Sequence, residues 1–292
     1  MLDLSMVGLA EVPVFGRYEY CSARPGLASH RHLKEVEICY LERGFQTYRV
    51  DEREYNLVGG DVFVTAPGEI HDTGGHPEDR GILYWLNLRI PKAGEPWLTL
   101  PPTESALLIA MLSSFPERRF AGRPVLKQIF NKVFELCGEP AKPLVRIAVA
   151  NQLVRCILEI VDCAYRPEGS HRSPLIARIA ERIRAHPEMD YSLIRLAEEA
   201  GLSLSRFKSK FKAQMGIAPH EFILYCKVDA AKQLLLKQRR SVTDTAMTLG
   251  FSSSQYFATV FKRFTQQTPV EFCTKGPVVP LRSGDLLLRK SL

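Results

Sequence analysis

The hydrophobic pattern changes character along the chain. Between about residues 11 and 90, apolar and aromatic residues occur in short runs such as EICYL, FQTYRV and DVFVT, separated by glycine and proline. Short runs spaced about 8 to 12 residues apart predict an antiparallel β barrel or jelly roll. From about residue 104 onward, apolar residues recur at the spacing of an α-helix. We therefore predict an α+β protein of two domains, with a β barrel first and helices after it.

The first helical segments are predicted at 104–115, 124–137 and 144–164. In the last of these, apolar positions cover more than half of the helix circumference, so this helix is expected to be buried on two sides. One side is expected to pack on the β barrel. The other side is either the surface of a homodimer or part of the core of one chain, and the pattern leaves both open.

Linker composition marks the boundary between the two predicted domains. The stretch 166–174, RPEGSHRSP, is rich in Pro, Ser and Gly. It separates an N-terminal domain, 1–165, from a C-terminal domain, 175–275, and a short basic tail follows at 276–292. With 46% hydrophobic and 24% charged residues, the chain has the composition of a folded globular protein.

The same sequence argues against several classes of protein. It contains no apolar run of about 18 residues, and its N-terminus lacks a basic segment followed by a cleavage site, so we expect neither a membrane span nor secretion. The cytoplasm is the expected location. The seven cysteines include no C-x-x-C pair. They are expected to be small core residues rather than disulfides or zinc ligands.

Positive charge is concentrated in the C-terminal half. The formal net charge of +7 divides into +10 for residues 171–292, with 20 Lys and Arg against 10 Asp and Glu, and −3 for residues 1–170, with 19 against 22. A basic module beside a mildly acidic one suggests that the C-terminal half binds a polyanion. Charge alone leaves a solvated basic surface equally open.

The C-terminal half also contains an internal repeat. Two blocks of residues recur, the first at an offset of 49 and the second, after a one-residue insertion, at an offset of 50. The first block pairs Ala197, Gly201 and Ser203 with Ala246, Gly250 and Ser252. The second block pairs Phe207, Phe211, Lys212, Pro219, Glu221 and Phe222 with Phe257, Phe261, Lys262, Pro269, Glu271 and Phe272.

Each copy has the layout of a helix-turn-helix. A helix with a small buried Ala is followed by a Gly suited to a positive φ, a Ser that caps the next helix, and a second amphipathic helix. We predict helices at 193–200 and 204–214 in the first copy and at 242–249 and 253–265 in the second.

In each second helix, a pair of Phe residues four positions apart marks the buried face. The opposite faces consist of Ser205, Lys208, Ser209 and Lys212 in the first copy and of Ser254, Gln255, Ala258, Thr259 and Lys262 in the second. Neither face carries a Glu, and small, polar or basic residues fit against base edges and phosphates. Two solvated helices of an ordinary bundle are the alternative.

A predicted helix from Pro219 to about Arg240 links the two copies. At 1.5 Å per residue its length would be about 30 Å, close to the ~34 Å between successive major grooves on one face of B-DNA. One chain could therefore place both second helices in neighbouring grooves. A closing helix is predicted after Thr268, with Pro269 in its first turn and Glu271 completing a capping box.

Residues 175–273 resemble the DNA-binding domain of the AraC/XylS family of bacterial transcriptional regulators. The resemblance rests on LAxxxGxSxxxFxxxFKxxxGxxPxxF, on AAKQLLL in the linking helix, and on AxxxGFSSSxYFxxxFKRF with TPxEF. Gln266, Cys273 and Lys227 depart from the family pattern, which usually has Gly, Arg and Arg at these positions.

The resemblance also implies roles for individual residues. Base-facing positions would be Ser205, Lys208, Ser209, Ser254, Gln255 and Thr259. Phosphate contacts or surface charge would come from Arg206, Lys210, Lys212 and Lys262, and Tyr256 would lie in the same interface.

The N-terminal half carries three histidines and a glutamate in two motifs similar to those of cupins. The motifs are GxxxHxHxxxxExxxxxxG from Gly26 and GxxxxxxPGxxH from Gly60, and the polar residues are His30, His32, Glu37 and His71. As strand residues at i and i+2, His30 and His32 would point to one barrel face and converge with the other two. Metal-dependent cupins use these residue types to bind Fe, Mn, Ni or Zn, whereas AraC-type regulators commonly use them in a ligand pocket. We therefore predict an effector pocket and no cofactor, with a metal at the same four residues as the lesser alternative.

Two hypotheses from different classes remain. In the first, the chain is a sequence-specific DNA-binding regulator whose activity changes when a small molecule, such as a sugar, binds in the barrel. It would bind double-stranded DNA, form a homodimer through the 144–164 helix, and contact RNA polymerase if it is an activator. In the second, the barrel is a metal-dependent dioxygenase or isomerase fused to a DNA-binding module. The sequence has no H-E-x-x-H, G-x-S-x-G, GxGxxG or P-loop motif, so we expect a regulator and not an enzyme.

Overall fold

A computed structural model describes residues 1–21, 24–138, 143–166, 173–236 and 238–275. The described chain divides into two compact units. The first contains 1–19, 29–72 and 81–166, and the second contains 20–28, 73–80 and the chain from 173 onward. An antiparallel sheet followed by helices dominates the first unit and helices dominate the second, which confirms the predicted α+β class. Among the described residues, no helix is both long enough and apolar enough to cross a membrane.

Seven strands within the described residues form one antiparallel sheet. They are β1 (Val14–Tyr20), β2 (Glu35–Val50), β3 (Arg53–Val58), β4 (Asp61–Thr65), β5 (His71–Asp72), β6 (Gly81–Arg89) and β7 (Arg119–Ala121). The main path of the sheet is β1-β6-β2-β4-β7, and β3 and β5 also pair with β2. The register of β2 against β6 shifts between Leu41 and Arg43. A bulge of this kind bends a strand, so the two halves of β2 can pair with different neighbours.

Three helices follow the barrel strands in the first unit. They are α1 (Pro102–Ser113), α2 (Val125–Cys137) and α3 (Pro143–Tyr165), which lie within two residues of the predicted bounds. Strand β7, between α1 and α2, was not predicted. It has only three residues and exists because it pairs with the edge of β4, a non-local contact that periodicity does not indicate.

Alternation along β2 separates two environments. Val36, Ile38 and Tyr40 lie in one apolar core with residues of α2 and α3, where the ring of Tyr40 stacks 6.1 Å from that of Phe130. Glu37 and Cys39 alternate with them and are also buried. Because successive strand side chains point to opposite faces, the helices cover one face of the sheet and a polar side chain lies inside the barrel on the other.

Helix α3 is buried on one side only within the single chain. Val149, Leu153 and Ile157 are completely buried in the core shared with the sheet. Leu144, Ile147 and Leu158 are exposed, by 77%, 57% and 51% respectively. The two-sided burial predicted from the sequence is therefore not completed within one chain.

Seven helices of the described residues form the C-terminal part. They are α4 (Pro174–Ala185), α5 (Leu193–Glu199), α6 (Leu204–Met215), α7 (Pro219–Leu236), α8 (Val242–Thr248), α9 (Ser254–Thr265) and α10 (Pro269–Lys275). Two helix-turn-helix pairs, α5–α6 and α8–α9, are joined by α7, as predicted. At the start of α10, Thr268 and Glu271 each accept a hydrogen bond from the other's backbone N–H, which confirms the capping box.

Several details of this part differ from the predictions. Helix α7 ends at Leu236, about one turn before Arg240, because Arg239 has a φ of +51° and cannot continue a right-handed helix. Helix α4 begins at Pro174, which was assigned to the linker. Most of the predicted linker and the tail 276–292 lie outside the described residues. All seven cysteines are free, but Cys21 and Cys273 are exposed and are not the core residues expected.

Candidate DNA interface and effector site

The first helix-turn-helix is held by the local interactions that its sequence predicted. Ala197 of α5 is buried, and Gly201 has a φ of +62° in the turn. Ser203 caps α6 by accepting a hydrogen bond from the backbone N–H of Arg206 at 3.4 Å. A glycine adopts a positive φ without the steric cost that other residues meet. Turn and cap together fix the direction in which α6 leaves α5.

Helix α6 has a buried aromatic face and an exposed polar face. Phe207 and Phe211 are completely buried, with ring centroids 5.7 Å apart. On the opposite side the predicted residues are all exposed, and no acidic residue lies among them. These residues are Ser205, Arg206, Lys208, Ser209, Lys210 and Lys212. The arrangement presents hydroxyl donors and positive charge to any polyanion that approaches this face.

The second helix-turn-helix repeats the same construction with one shift. Ala246 is buried and Gly250 has a φ of +64°. The residue that caps α9 is Ser253, which accepts from the backbone N–H of Tyr256 at 3.1 Å, and not Ser252, which the first repeat block suggested. The inserted residue lies in the turn, so the cap follows the offset of 50 that governs the helix after it.

Helix α9 likewise buries Phe257 and Phe261 and exposes a face without acidic residues. Ser254 and Ala258 are half-buried, and the other predicted residues of this face are exposed: Gln255, Tyr256, Thr259 and Lys262. The hydroxyl of Thr259 donates to the backbone carbonyl of Gln255 at 3.0 Å, which leaves its oxygen able to accept. The Gln255 amide and the Lys262 ammonium provide donors for a nucleic acid.

Helix α7 contacts both recognition helices. The ring of Phe222 lies 5.5 Å from that of Phe211 in α6, and the ring of Tyr225 lies 6.1 Å from that of Phe264 in α9. The guanidinium of Arg263 also pairs with Glu221 at 3.4 Å. These contacts position the two helices through one shared rigid element.

The four predicted effector residues also come together, through backbone pairing in the barrel. His30 and His71 form an isolated bridge in which each backbone N–H donates to the other's carbonyl, at 3.1 and 3.0 Å. His71 also pairs with Val50 near the end of β2, whereas Glu37 lies near its start. Because β2 is curved, the residue that pairs with its end, His71, comes close to Glu37 near its start.

His32 reaches the cluster from a loop and not from a strand, so the strand prediction for this residue was wrong. The loop precedes β2, and the backbone N–H of Gly68 donates to the carbonyl of His32 at 2.7 Å. This hydrogen bond holds the loop over the barrel. The convergence predicted for the four side chains is nevertheless found, because tertiary pairing replaces strand alternation as its cause.

The imidazoles surround the Glu37 carboxylate closely. Its Oε2 lies 2.9 Å from Nε2 of His32 and 3.6 Å from Nε2 of His71. The ring of His30 lies 4.3 Å from that of His71 and 5.2 Å from that of His32, between centroids. One possible ligand atom from each of the four residues lies within 4.8 Å of all the others.

Burial and these contacts shift the pKa values of Glu37 and His71 in opposite directions. Burial raises the pKa of Glu37, but polar contacts with His32 and His71 outweigh it and hold the pKa below its usual range. Burial lowers the pKa of His71, but the Glu37 carboxylate outweighs it and the pKa is raised. The cluster therefore stabilises a negative carboxylate facing a proton or another positive charge.

The structure adds two neighbours that the sequence analysis missed. The Cys39 thiol donates to Oε1 of Glu37 at 3.4 Å and lies 3.6 Å from the Tyr48 hydroxyl. Strand alternation carried on from Glu37 would have indicated Cys39, but the position of Tyr48 depends on how β2 bends.

Tyr84 and Trp85, two neighbouring aromatic residues of β6, lie on different faces of the sheet. The Tyr84 ring lies 5.0 Å from that of Phe130, and its hydroxyl donates to Oδ1 of Asn131 at 2.9 Å, both in α2. Trp85 follows it in β6 and pairs in register with Cys39. Since alternate strand residues face opposite sides, Trp85 and not Tyr84 shares the face of the cluster.

Two family models match the chain, one on each part. Residues 12–154 match the AraC-like ligand binding domain, and residues 196–275 match a helix-turn-helix domain. The chain belongs to the AraC/XylS family of transcriptional regulators. In this AraC/XylS-family regulator, the ligand-binding match contains the histidine cluster and the helix-turn-helix match contains both recognition helices.

Two sequence relatives agree with this membership. The arabinose operon regulatory protein of Escherichia coli (strain K12) is 25% identical over 271 residues, which cover 91% of this chain and 88% of the relative. The probable transcriptional regulator LumQ of Photobacterium leiognathi is 34% identical over 90 residues, 31% of this chain and 36% of the relative. The structure of ToxT from Vibrio cholerae O395 bound to (E)-4-(8-methylnaphthalen-1-yl)but-3-enoic acid aligns with a TM-score of 0.34 at 11% identity, over 89% of this chain and 97% of ToxT. Both sequence relatives are named as regulators and not as enzymes.

Proposed function

We propose that the chain binds double-stranded DNA with α6 and α9 in successive major grooves, and that a small molecule bound in the barrel modulates its regulation of transcription. The observation that carries the DNA part is the pair of exposed faces on α6 and α9, each following the same Gly turn and Ser cap. Both helices contact α7, which has 18 residues. Its length of about 27 Å is of the order of the ~34 Å groove repeat.

The residue types on the two faces suit some residues to contacts with bases and others to contacts with phosphates. Lys208 is suited to guanine and Gln255 to adenine, while the short hydroxyl side chains of Ser205, Ser209, Ser254 and Thr259 accept either. Arg206, Lys212 and Lys262 are assigned to phosphates, and Tyr256 to the edge of the interface. Most of the base-facing side chains are short. We therefore expect modest direct readout of the base sequence and a large contribution of phosphate contacts to the binding affinity.

Fluorescence anisotropy across a salt series tests the DNA-binding part. The labelled probes are DNA from just upstream of the protein's own or a neighbouring gene and unrelated DNA of equal length. We expect tighter binding to the first probe, a steep loss of affinity with salt, and protection of nearly two helical turns per chain. Equal binding to both DNAs, or no binding to either, would contradict the proposal.

The effector is assigned to the barrel and is proposed to be a small polar metabolite, with sugars tested first. Imidazole and carboxylate groups hydrogen-bond hydroxyls, and the long relative is named for the arabinose operon. A panel of pentoses and hexoses should include one that raises the melting temperature of the wild type and changes its DNA affinity. His32→Ala should weaken that effect, since His32 is the more exposed of the two imidazoles beside Glu37.

The proposal also covers oligomeric state, location and partners. We propose that the chain forms a homodimer through the exposed apolar face of α3 and that it acts in the cytoplasm. If it activates transcription, RNA polymerase is its proposed partner. We also propose that the barrel does not catalyse a reaction, because the long relative is named as a regulator. Turnover of any candidate effector by the purified protein would favour the second hypothesis, a metal-dependent cupin enzyme.

A further inference from the structure

The side chains of His30, His32, Glu37 and His71, the histidine cluster, offer three imidazole nitrogens and one carboxylate oxygen in a small volume. A suitable atom of each residue lies within 4.8 Å of the others. Two ligands on opposite sides of one ion are about 4 Å apart when metal–nitrogen distances are about 2.0 to 2.1 Å. The spacing is therefore close to that of a loaded site. A nitrogen-rich set with one carboxylate suits zinc, iron, nickel or manganese in the divalent state.

A hydrogen bond orients the most buried imidazole as it would be in a metal site. Nδ1 of His71 lies 3.1 Å from the backbone carbonyl of Glu69. A carbonyl only accepts, so Nδ1 carries the proton and a neutral ring has its lone pair on Nε2. That atom faces Oε2 of Glu37 at 3.6 Å. Metal-binding histidines are commonly fixed in this way by a partner on the other nitrogen.

A second observation is that two candidate ligand atoms are buried without a hydrogen bond of good geometry. Oε2 of Glu37 is near both Nε2 of His32 and Nε2 of His71, at 2.9 and 3.6 Å, but neither contact is a well-aligned hydrogen bond, and the His71 side chain is only 1% exposed. Buried polar atoms are nearly always satisfied, and an unsatisfied one calls for a proton, an ion or water. Here both atoms point at the same carboxylate oxygen, so one cation between them would satisfy all three.

We propose that His30, His32, Glu37 and His71 bind one divalent first-row transition-metal ion, and that this ion forms the floor of the effector site. The second part rests on the proposed function and deepens it. The effector would then be a molecule that offers oxygen atoms to the metal, such as a hydroxy acid or a polyol. The metal-binding part stands on the cluster alone.

The test uses the full chain without a polyhistidine tag. Metal content is measured by mass spectrometry after purification without chelators, and chelator-treated protein is then titrated with Co²⁺ while visible absorbance and melting temperature are recorded. We expect about one ion per chain, a cobalt spectrum of nitrogen and oxygen ligation, and a higher melting temperature. His32→Ala and Glu37→Gln should each weaken Co²⁺ binding at least tenfold. His186→Ala, which removes a histidine exposed by 60% outside the barrel, should bind as the wild type does.

Two results would overturn the proposal. One is the absence of copurified metal together with no spectral change at micromolar Co²⁺, and the other is Co²⁺ binding that both cluster variants retain. Circular dichroism checks that the variants fold, and His30→Gln, at a half-buried position, replaces any that does not. DNA affinity is measured on the same samples. Failure of the metal tests beside intact specific DNA binding would remove the metal site and leave the regulator, whereas loss of DNA binding in the metal-free and metal-loaded wild type alike would remove the proposed function.

Discussion

At the scale of single residues, burial moves the titration of two carboxyl groups into the neutral range. Glu78 and Asp79 lie in the segment 73–80, and burial raises the pKa of each to about 7. Asp79 is 7% exposed, and the positive charge of Lys232 offsets only part of the cost of burying its carboxylate. The fold therefore holds charged groups where neutral ones would be more stable.

We expect Asp79→Asn to stabilise the protein above neutral pH and to have little effect in acid. The folded-state pKa of about 7 lies above the unfolded value near 3.8. The carboxylate thus becomes increasingly costly as the pH rises from about 4, and the cost is complete above about 7. The variant should gain about 1 to 2 kcal/mol at pH 8, a few degrees in melting temperature, and almost nothing at pH 4.5. Thermal melts at both pH values measure this, with Glu117→Gln at an exposed site as control; equal gains at both pH values would contradict it.

Lys208 provides the residue-scale test of the DNA interface. It is exposed on the acid-free face of α6. If it contacts a base, Lys208→Ala should cost about 1 to 3 kcal/mol on the specific site only, and if it contacts phosphate, all DNAs should weaken alike. Anisotropy on specific and unrelated DNA separates the two outcomes. Lys92→Ala, at an exposed lysine of the first unit, should change neither. Unchanged affinity for Lys208→Ala on every DNA removes this residue from the interface.

At the scale of elements, the two recognition helices end in the same backbone conformation with different residues. Gly216 follows α6 with a φ of +69°, and Gln266 follows α9 with a φ of +63°. The left-handed region carries a steric cost for residues with a Cβ and none for glycine. Gln266 is the position at which the chain departs from the Gly usual in the family, and the structure shows that the turn itself is retained.

Gln266→Gly should therefore stabilise the protein. Its side chain is exposed, so little packing is lost. We expect a gain of about 0.5 to 1 kcal/mol from relief of the left-handed strain, reduced by the greater freedom of glycine in the unfolded chain. The matched exchange Gly216→Gln should destabilise by a similar amount. Urea denaturation of both variants provides the measurement, and a loss of stability in Gln266→Gly would show that another contact holds the turn.

At the scale of the whole molecule, α3 leaves apolar side chains exposed on one face. Leu144 and Ile147 are more than half exposed one turn apart, and Leu158 is exposed about three turns further along the helix. Several large apolar side chains exposed on one helix are a common sign of an interaction surface. A second copy of the chain would cover this face symmetrically.

The double substitution Leu144→Asp with Ile147→Asp should convert a dimer into monomers. Two charges in an apolar interface would remain desolvated and unpaired, so the dissociation constant should rise at least tenfold. Sedimentation velocity over a range of concentrations measures this. Met247→Asp, at an apolar residue of α8 exposed by 73%, is the control. A wild type that sediments as a monomer, or a variant that remains dimeric, would place the interface elsewhere.

How far the sequence determined this protein depends on the range of the interactions involved. The helix-turn-helix pairs, their Gly turns and Ser caps, and the α10 capping box were all predictable, because each depends on residues fewer than about ten positions apart. Even the misplaced cap at Ser252 was an error of one residue in a repeat. The four cluster residues were also identified, through the similarity of their motifs to those of cupins, although the strand geometry given for His32 was wrong.

The remaining features are decided by tertiary structure. The bridge of His30 to His71 joins residues 41 positions apart in the chain, and β7 exists only where β4 offers an edge. The polar contacts of Cys39 and Tyr48 with the cluster likewise depend on how β2 bends. Hydrophobic periodicity indicates which face of an element is buried but not against what. The sequence by itself therefore determined the elements and the family, and the bend of β2, together with the pairing that brings residue 71 back to residue 30, determined the site.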